Sequence, residues 1–227
     1  MEYAHCGLQV QPMPGQRKPV IFFDWDGTLA DSMPLCIEQI RGTLAEMGLP
    51  PRTNADMARC NGPTYEESAA LMEIPVDRTE EYLRIRQRIE LEIVRDWQRL
   101  FPGIKEMLTA LAPLADLVVV SNGLKEYLRI SMETMGITDL FARVQPLIPG
   151  KTKTQALRMV LDELQPLRCV MVGDRKGDVL AGRDNGVRTI AACYGYGQPE
   201  EWALADQQAY SVAQLKELLL DFSQRGT

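Results

Sequence analysis

Histidine is nearly absent: the 227 residues contain one, His5, and it precedes the first apolar run. Ser-His-Asp and Cys-His relays and histidine-ligated metal sites are thereby removed from contention. Cysteine is sparse and unpatterned. Cys6, Cys36, Cys60, Cys169 and Cys193 are odd in number, widely spread and free of any C-x-x-C pair, so they read as reduced small hydrophobes rather than zinc ligands. No apolar stretch approaches the ~20 residues of a membrane-spanning helix. Residues 1–18 lack the apolar segment of a secretory signal and read as a loose leader, with the cytoplasm as the expected location. A basic excess is missing as well: 25 Lys and Arg against 31 Asp and Glu leave a formal net charge of −6. That balance argues against broad contact with nucleic acid, so an anionic ligand must be attracted locally, by a metal, a placed lysine or helix N-termini.

What is present is an ordinary globular composition, 45% apolar and 25% charged, long enough for one substantial domain with a smaller insertion. Its most informative run is Val20-Ile21-Phe22-Phe23-Asp24-Trp25-Asp26-Gly27-Thr28-Leu29. A β-branched and aromatic stretch ending in Gly reads as a buried strand feeding a loop, and the ligand crevice of an open α/β sheet lies at such carboxyl ends. Two carboxylates held this close repel each other, and a hard divalent cation relieves the repulsion; a solvated Asp-Asp turn is the plainer alternative.

From Met33 to Leu100 the pattern is helical, with Met33 to Met47 stopped by Gly48, then Tyr65 to Met72, then Arg78 to Leu100. Phe101-Pro102-Gly103 closes this segment, so residues 33–100 read as a helical insertion. Strands and helices then alternate: strand Leu117 to Ser121, helix Leu124 to Met135, a short strand at Val144 to Ile148, helix Thr152 to Leu164 and strand Arg168 to Val172. Helix Asp178 to Asn185, strand Val187 to Ala192 and a last helix from Val212 to Phe222 with Ser211 as N-cap complete it. Such alternation specifies an α/β fold, a Rossmann-like parallel sheet with helices on both faces, formed by residues 19–32 and 101–227.

Three further polar clusters fall at strand ends or helix starts. Ser121-Asn122-Gly123 offers a hydroxyl, an amide and flexible backbone to an oxyanion. Gly173-Asp174-Arg175-Lys176-Gly177-Asp178 adds two carboxylates at the same sheet edge. Lys151 and Lys153 stand at the start of an amphipathic helix, where a cation opposes the helix dipole and a nearby anion would explain it; helical phase favours Lys153.

Together these residues resemble the haloacid dehalogenase-like (HAD) superfamily of aspartate-nucleophile phosphotransferases. Asp24-Trp25-Asp26-Gly27-Thr28 is similar to its first motif, Ser121-Asn122-Gly123 to its second, Lys153 to its third and Gly173-Asp174 with Asp178 to its fourth, in the family's order. The resemblance implies Asp24 as nucleophile toward a phosphomonoester and Asp26 as general acid and base. It implies magnesium held by the Asp24 carboxylate, the Asp26 backbone carbonyl and the Asp174 carboxylate, with Ser121, Asn122 and Lys153 on the phosphoryl oxygens. Asp178 either ligates metal through water or braces the loop carrying Asp174.

Residues 33–100 would then be a helical cap closing over a small substrate, with contacts sought at Gly62-Pro63-Thr64 and the preceding Arg59 and Asn61, while Gly195-Tyr196-Gly197 forms a turn beside the site. The expected activity is a magnesium-dependent small-molecule phosphatase, similar to phosphoglycolate phosphatases, with neither nucleic acid nor membrane as partner. A 5'-nucleotidase or a sugar phosphomutase would use the same core residues, and a catalytically silent HAD-like binding protein is the non-enzymatic alternative.

Overall fold

Four consecutive apolar residues, Val20–Phe23, form β1 at the centre of a parallel sheet, buried on both faces. The computed structural model describes residues 18–224. The expected leader, residues 1–18, thus lies outside the described residues except for Lys18. After β1 come helices α1 (Met33–Glu46), α2 (Asn54–Ala58), α3 (Tyr65–Leu71), α4 (Thr79–Trp97) and α5 (Ile104–Leu111). The chain continues through β2 (Asp116–Val120), α6 (Lys125–Met135), β3 (Arg143–Gln145), α7 (Lys153–Leu164), β4 (Cys169–Gly173) and α8 (Lys176–Asp184). It ends with β5 (Arg188–Ala192), α9 (Pro199–Trp202), β6 (Gln207–Ala209) and α10 (Val212–Gln224).

The strand order is β3-β2-β1-β4-β5-β6, with all pairings parallel. The chain runs outward from β1 through β2 to β3, then returns to β4 on the other side of β1. A crevice opens at such a reversal, outside the carboxyl ends of the strands. Register places Phe23 level with Val119 of β2 and Val172 of β4, so the residues that follow these three strands share one edge.

Alternate strand residues feed two apolar layers. Ile21, Phe23, Val119 and Val172 pack with Leu108 of α5, Leu128 of α6 and Leu215 of α10. Val20, Phe22, Val118 and Met171 pack with Leu157 of α7 and Ala181 of α8. A third cluster, from Cys36 to Ile89, lies wholly within the helical segment. That segment joins the sheet through two short stretches lying side by side: Ala30 bridges Leu100, Asp31 N donates to Arg99 O at 2.9 Å, and Phe101 N donates to Leu29 O at 3.1 Å.

Several boundaries differ from the expected ones for local reasons. The strand expected at Val144 to Ile148 occupies Arg143–Gln145, because Pro146 has no N–H for the ladder. Helix α4 stops at Trp97, before Leu100, because Gln98 turns extended so that Leu100 can pair with Ala30. Helix α8 begins at Lys176, two residues early, because the Asp178 carboxylate accepts the Arg175 N–H and caps it. Ser211 caps α10 as expected, its Oγ accepting from Gln214 N at 3.1 Å. α2, α5, α9 and β6 had no counterpart in the sequence reading.

The helical layer buries polar groups toward the sheet. On α4, Tyr82, Ile85 and Ile89 enter the apolar cluster, while Arg86 and Glu90, one turn apart, are also buried. The Glu90 carboxylate accepts from Gln39 Nε2 at 3.1 Å and from the Tyr65 hydroxyl. Burial pushes the Glu90 carboxyl up to about 7, against the Tyr65 hydrogen bond and the Arg86 charge.

Two stability outcomes follow. Leu108→Ala, at a fully buried position, should lower unfolding free energy by about 2–5 kcal/mol in urea titration. Since the folded pKa of Glu90 lies above its unfolded value, its share of stability is intact below the unfolded value and declines as pH rises toward about 7. Glu90→Gln should therefore show a flatter stability profile, gaining of order 1–3 kcal/mol on wild type between about pH 5 and pH 8. Parallel urea midpoints at the two pH values measure it.

Candidate active site

Asp24 follows β1 directly, its backbone N–H still bonded to Val172 O of β4 at 2.9 Å, so the sheet fixes its position. Its side chain is buried, and Oδ1 accepts from Lys153 Nζ at 2.7 Å. The same ammonium donates to Asp178 Oδ1 at 2.5 Å. Lys153 owes its placement to the start of α7. Thr152 is the N-cap, its hydroxyl accepting from Gln155 N at 3.2 Å while Gln155 Oε1 accepts from Thr152 N at 3.0 Å. This box makes Lys153 the first helical residue and turns it onto Asp24. Lys151 is exposed.

Asp174 follows β4, one residue beyond the level of Asp24. Its Oδ1 accepts from Thr28 Oγ1 at 3.3 Å and its Oδ2 from Tyr196 N at 2.8 Å. The fit requires glycine opposite: a Cβ on Gly27, whose φ is +82°, would lie 2.3 Å from Asp174 Oδ2. The Gly195-Tyr196-Gly197 turn thus holds Asp174 directly, and the Tyr196 hydroxyl also donates to Asp31 Oδ1 at 2.6 Å.

Carboxylate oxygens of Asp24, Asp174 and Asp178 all lie within 4.8 Å of one another. Three buried carboxylates face one ammonium. Burial pushes Asp24 well above the usual carboxylate range, Asp178 and Asp174 add to the rise, and Lys153 opposes it. Burial and Asp178 push Asp174 up to about 7. At Lys153 burial works against the charge, but Asp178 and Asp24 outweigh it and hold the ammonium protonated. An all-oxygen donor set with surplus negative charge suits a hard divalent cation such as magnesium. Asp178 contributes an oxygen to this cluster and also caps α8.

Asp26 stands two residues on. Its Oδ1 accepts from the Tyr127 hydroxyl of α6 at 2.6 Å. Burial raises the Asp26 carboxyl, with hydrogen bonds from Ser32 and Tyr127 restraining the rise. Ser121 and Asn122 follow β2. Ser121 Oγ accepts from Gly123 N at 2.9 Å, and Asn122 Nδ2 donates to Gly62 O of the helical segment at 3.2 Å. Arg175 Nη1 reaches Asn61 O at 3.3 Å, so the Asn61-Gly62 tip is held to the sheet from two strands.

A cavity of about 50 Å³ is lined by Asp24, Asp26, Ser121, Asn122 and Lys153 on the sheet side. Gln39, Asn61, Tyr65, Arg86 and Glu90 line it from the helical side. One water needs about 10–15 Å³ on this measure, so a small ion or a short molecule fits. Asn61 and Gly62 line the cavity as the sequence suggested, whereas Arg59 is exposed and lines a separate groove. Sequence reasoning missed Tyr127, Gln39, Tyr65, Arg86 and Glu90. A usable signal existed for the last two: they share the inward face of α4 with Tyr82, Ile85 and Ile89, where charge is out of place.

The sequence profile of the haloacid dehalogenase-like hydrolases matches residues 21–192. The phosphoglycolate phosphatase of Vibrio vulnificus strain YJ016 is 30% identical over 229 residues, covering 92% of this chain and 99% of that protein. Among solved structures, the haloacid dehalogenase-like family protein SP0104 of Streptococcus pneumoniae superposes with a TM-score of 0.81 at 23% identity, covering 90% of this chain and 98% of that one. Protein Tyrosine Kinase A of Mycobacterium tuberculosis superposes with a TM-score of 0.74 at 28% identity, covering 90% and 99%. The profile takes in β1 through β5, the strands after which Asp24, Ser121 and Asp174 stand, and on that ground the chain belongs to the haloacid dehalogenase-like hydrolase family.

Proposed function

We propose that this phosphatase depends on magnesium and hydrolyses a short phosphomonoester of the phosphoglycolate type through an aspartyl-phosphate on Asp24. The observation that carries the reading is the Asp24 carboxylate at the wall of a small cavity, fixed at 2.7 Å by the Lys153 ammonium, with Asp26 and Ser121 lining the same space. Ser121, Asn122 and Lys153 supply donors for the phosphoryl oxygens. An Asp24 carboxylate oxygen attacks phosphorus, and the bond to the substrate's ester oxygen breaks. Asp26, which burial holds above the usual carboxylate range, gives its proton to that leaving oxygen. The Tyr127 hydroxyl keeps Asp26 oriented. Asp26, now ionised, then takes a proton from water as the water oxygen attacks phosphorus, which frees Asp24 and releases phosphate.

Asp24 and Asp174 carboxylates, with the Asp26 backbone carbonyl, would hold magnesium beside Asp178, where bound metal supplies positive charge against the phosphoryl oxygens and the clustered carboxylates. Residues 33–100 serve as a cap whose inner face walls the cavity opposite the sheet edge. The cavity's size favours a short ester over a nucleotide, since pockets for larger ligands run to about 300–1,000 Å³. Phosphoglycolate phosphatases among the relatives point the same way.

Asp24→Asn should reduce phosphate release from phosphoglycolate by at least about 10³-fold while the circular dichroism spectrum is unchanged; turnover near the wild-type rate would rule out Asp24 as nucleophile. Asp26→Asn should slow turnover by about 10²–10⁴-fold, read in steady-state assays. Chelation with EDTA should abolish phosphate release, and added magnesium should restore it.

A further inference from the structure

The Arg86 guanidinium is a cation in the cavity that phosphoryl transfer leaves unused. Arg86 is 3% exposed and lines the space that holds Asp24 and Lys153, and its Nε and Nη1 have no hydrogen-bond partner among the described residues. Arginine stays ionised in proteins, and a buried cation is costly unless its donors are met.

Its surroundings hold it without satisfying it. The Tyr65 ring lies 4.3 Å from the guanidinium carbon, which fixes the plane by a cation-π contact. Glu90, one turn along α4, offsets the Arg86 charge through space but makes no hydrogen bond to the guanidinium, its two oxygens accepting from Gln39 and Tyr65. Gln39 Nε2 also donates to the Arg86 backbone carbonyl at 3.1 Å, tying the residue to α1. Lys153 and Arg86 are the two cations lining the cavity, and Lys153 is matched by Asp24 and Asp178.

Building on the phosphatase reading above, we propose that Arg86 binds a carboxylate at the end of the substrate opposite its phosphate, so that the enzyme selects short phosphorylated acids over neutral phosphomonoesters. The inference stands on a buried guanidinium with unmet donors facing the reacting carboxylates across one small cavity. A planar guanidinium matches the two oxygens of a carboxylate. A cavity of about 50 Å³ restricts the spacer between the two anions to a short one. Arg86 touches the substrate away from phosphorus, so its role is in specificity.

The test compares two esters of one skeleton, phosphoglycolate and 2-hydroxyethyl phosphate, in the full chain with magnesium. Wild type should prefer phosphoglycolate, and Arg86→Gln should lower kcat/KM for it about 10–100-fold, chiefly through KM. The loss for 2-hydroxyethyl phosphate should be much smaller, so the preference collapses; Arg86→Lys should recover part of it. Equal losses for both esters, or no preference in wild type, overturn the proposal. A second arm measures phosphoglycolate binding by calorimetry in Asp24→Asn, with and without Arg86→Gln or, should the glutamine variant not fold, Arg86→Lys. Weakened binding in the double variant supports the role of Arg86, and unchanged binding refutes it. Wild type that releases phosphate from neither ester contradicts the phosphatase reading, while the calorimetric arm still decides Arg86.

Discussion

Taking Asp24, Asp174 and Asp178 out of water around a single ammonium is the demand to which the rest of the structure answers. Burial, then neighbouring carboxylate charge, raises the pKa of Asp24 and Asp174, and Lys153 offsets only part of that. The arrangement holds because each carboxylate is fixed by backbone geometry. The parallel sheet sets Asp24 and Asp174 side by side, the α8 cap holds Asp178, and the Thr152 box holds Lys153. The surplus negative charge that remains is what makes the site suited to a cation and, through it, to a phosphoryl group.

The second organising fact is a division between two layers. Groups suited to making and breaking bonds stand on the sheet edge, while Arg86, Gln39, Tyr65 and Glu90 come from the helical layer. The cavity exists only where these faces meet, and Asn122 and Arg175 bind the tip at Asn61 and Gly62 across that seam. A sheet-edge site alone would be open to water. The helical wall supplies the other side of the cavity, with Arg86 among its lining residues.

How much of this the sequence discloses depends on the range of the interaction. β1, β2 and β4 are legible because each is an unbroken apolar run ending in a polar cluster, and the order of the clusters points to a shared edge. Helical phase favours Lys153 over Lys151 from sequence, and the Thr152 capping box shows why α7 starts there. β6, Gln207–Ala209, was illegible: three residues, two of them polar, become a strand only because β5 offers an edge. α5 went unread behind the Phe101-Pro102-Gly103 turn, although Ile104, Met107, Leu108 and Leu111 have helical spacing. Arg86 and Glu90 escaped for a different reason. Their helical phase with Tyr82, Ile85 and Ile89 places them on the inward face of α4, but what that face meets depends on α1 and α3 packing against it.

The pairing of Ala30 with Leu100 carries a further consequence. The chain departs from the sheet and comes back to it one backbone pair apart, so the long excursion between them spans almost no distance as seen by β1 and α5. Closing so long a loop costs only logarithmically more than closing a short one. Its length and contents are therefore nearly free variables for the sheet. The helical wall of the cavity can change in length and composition without displacing the sheet edge that carries Asp24 and Asp174.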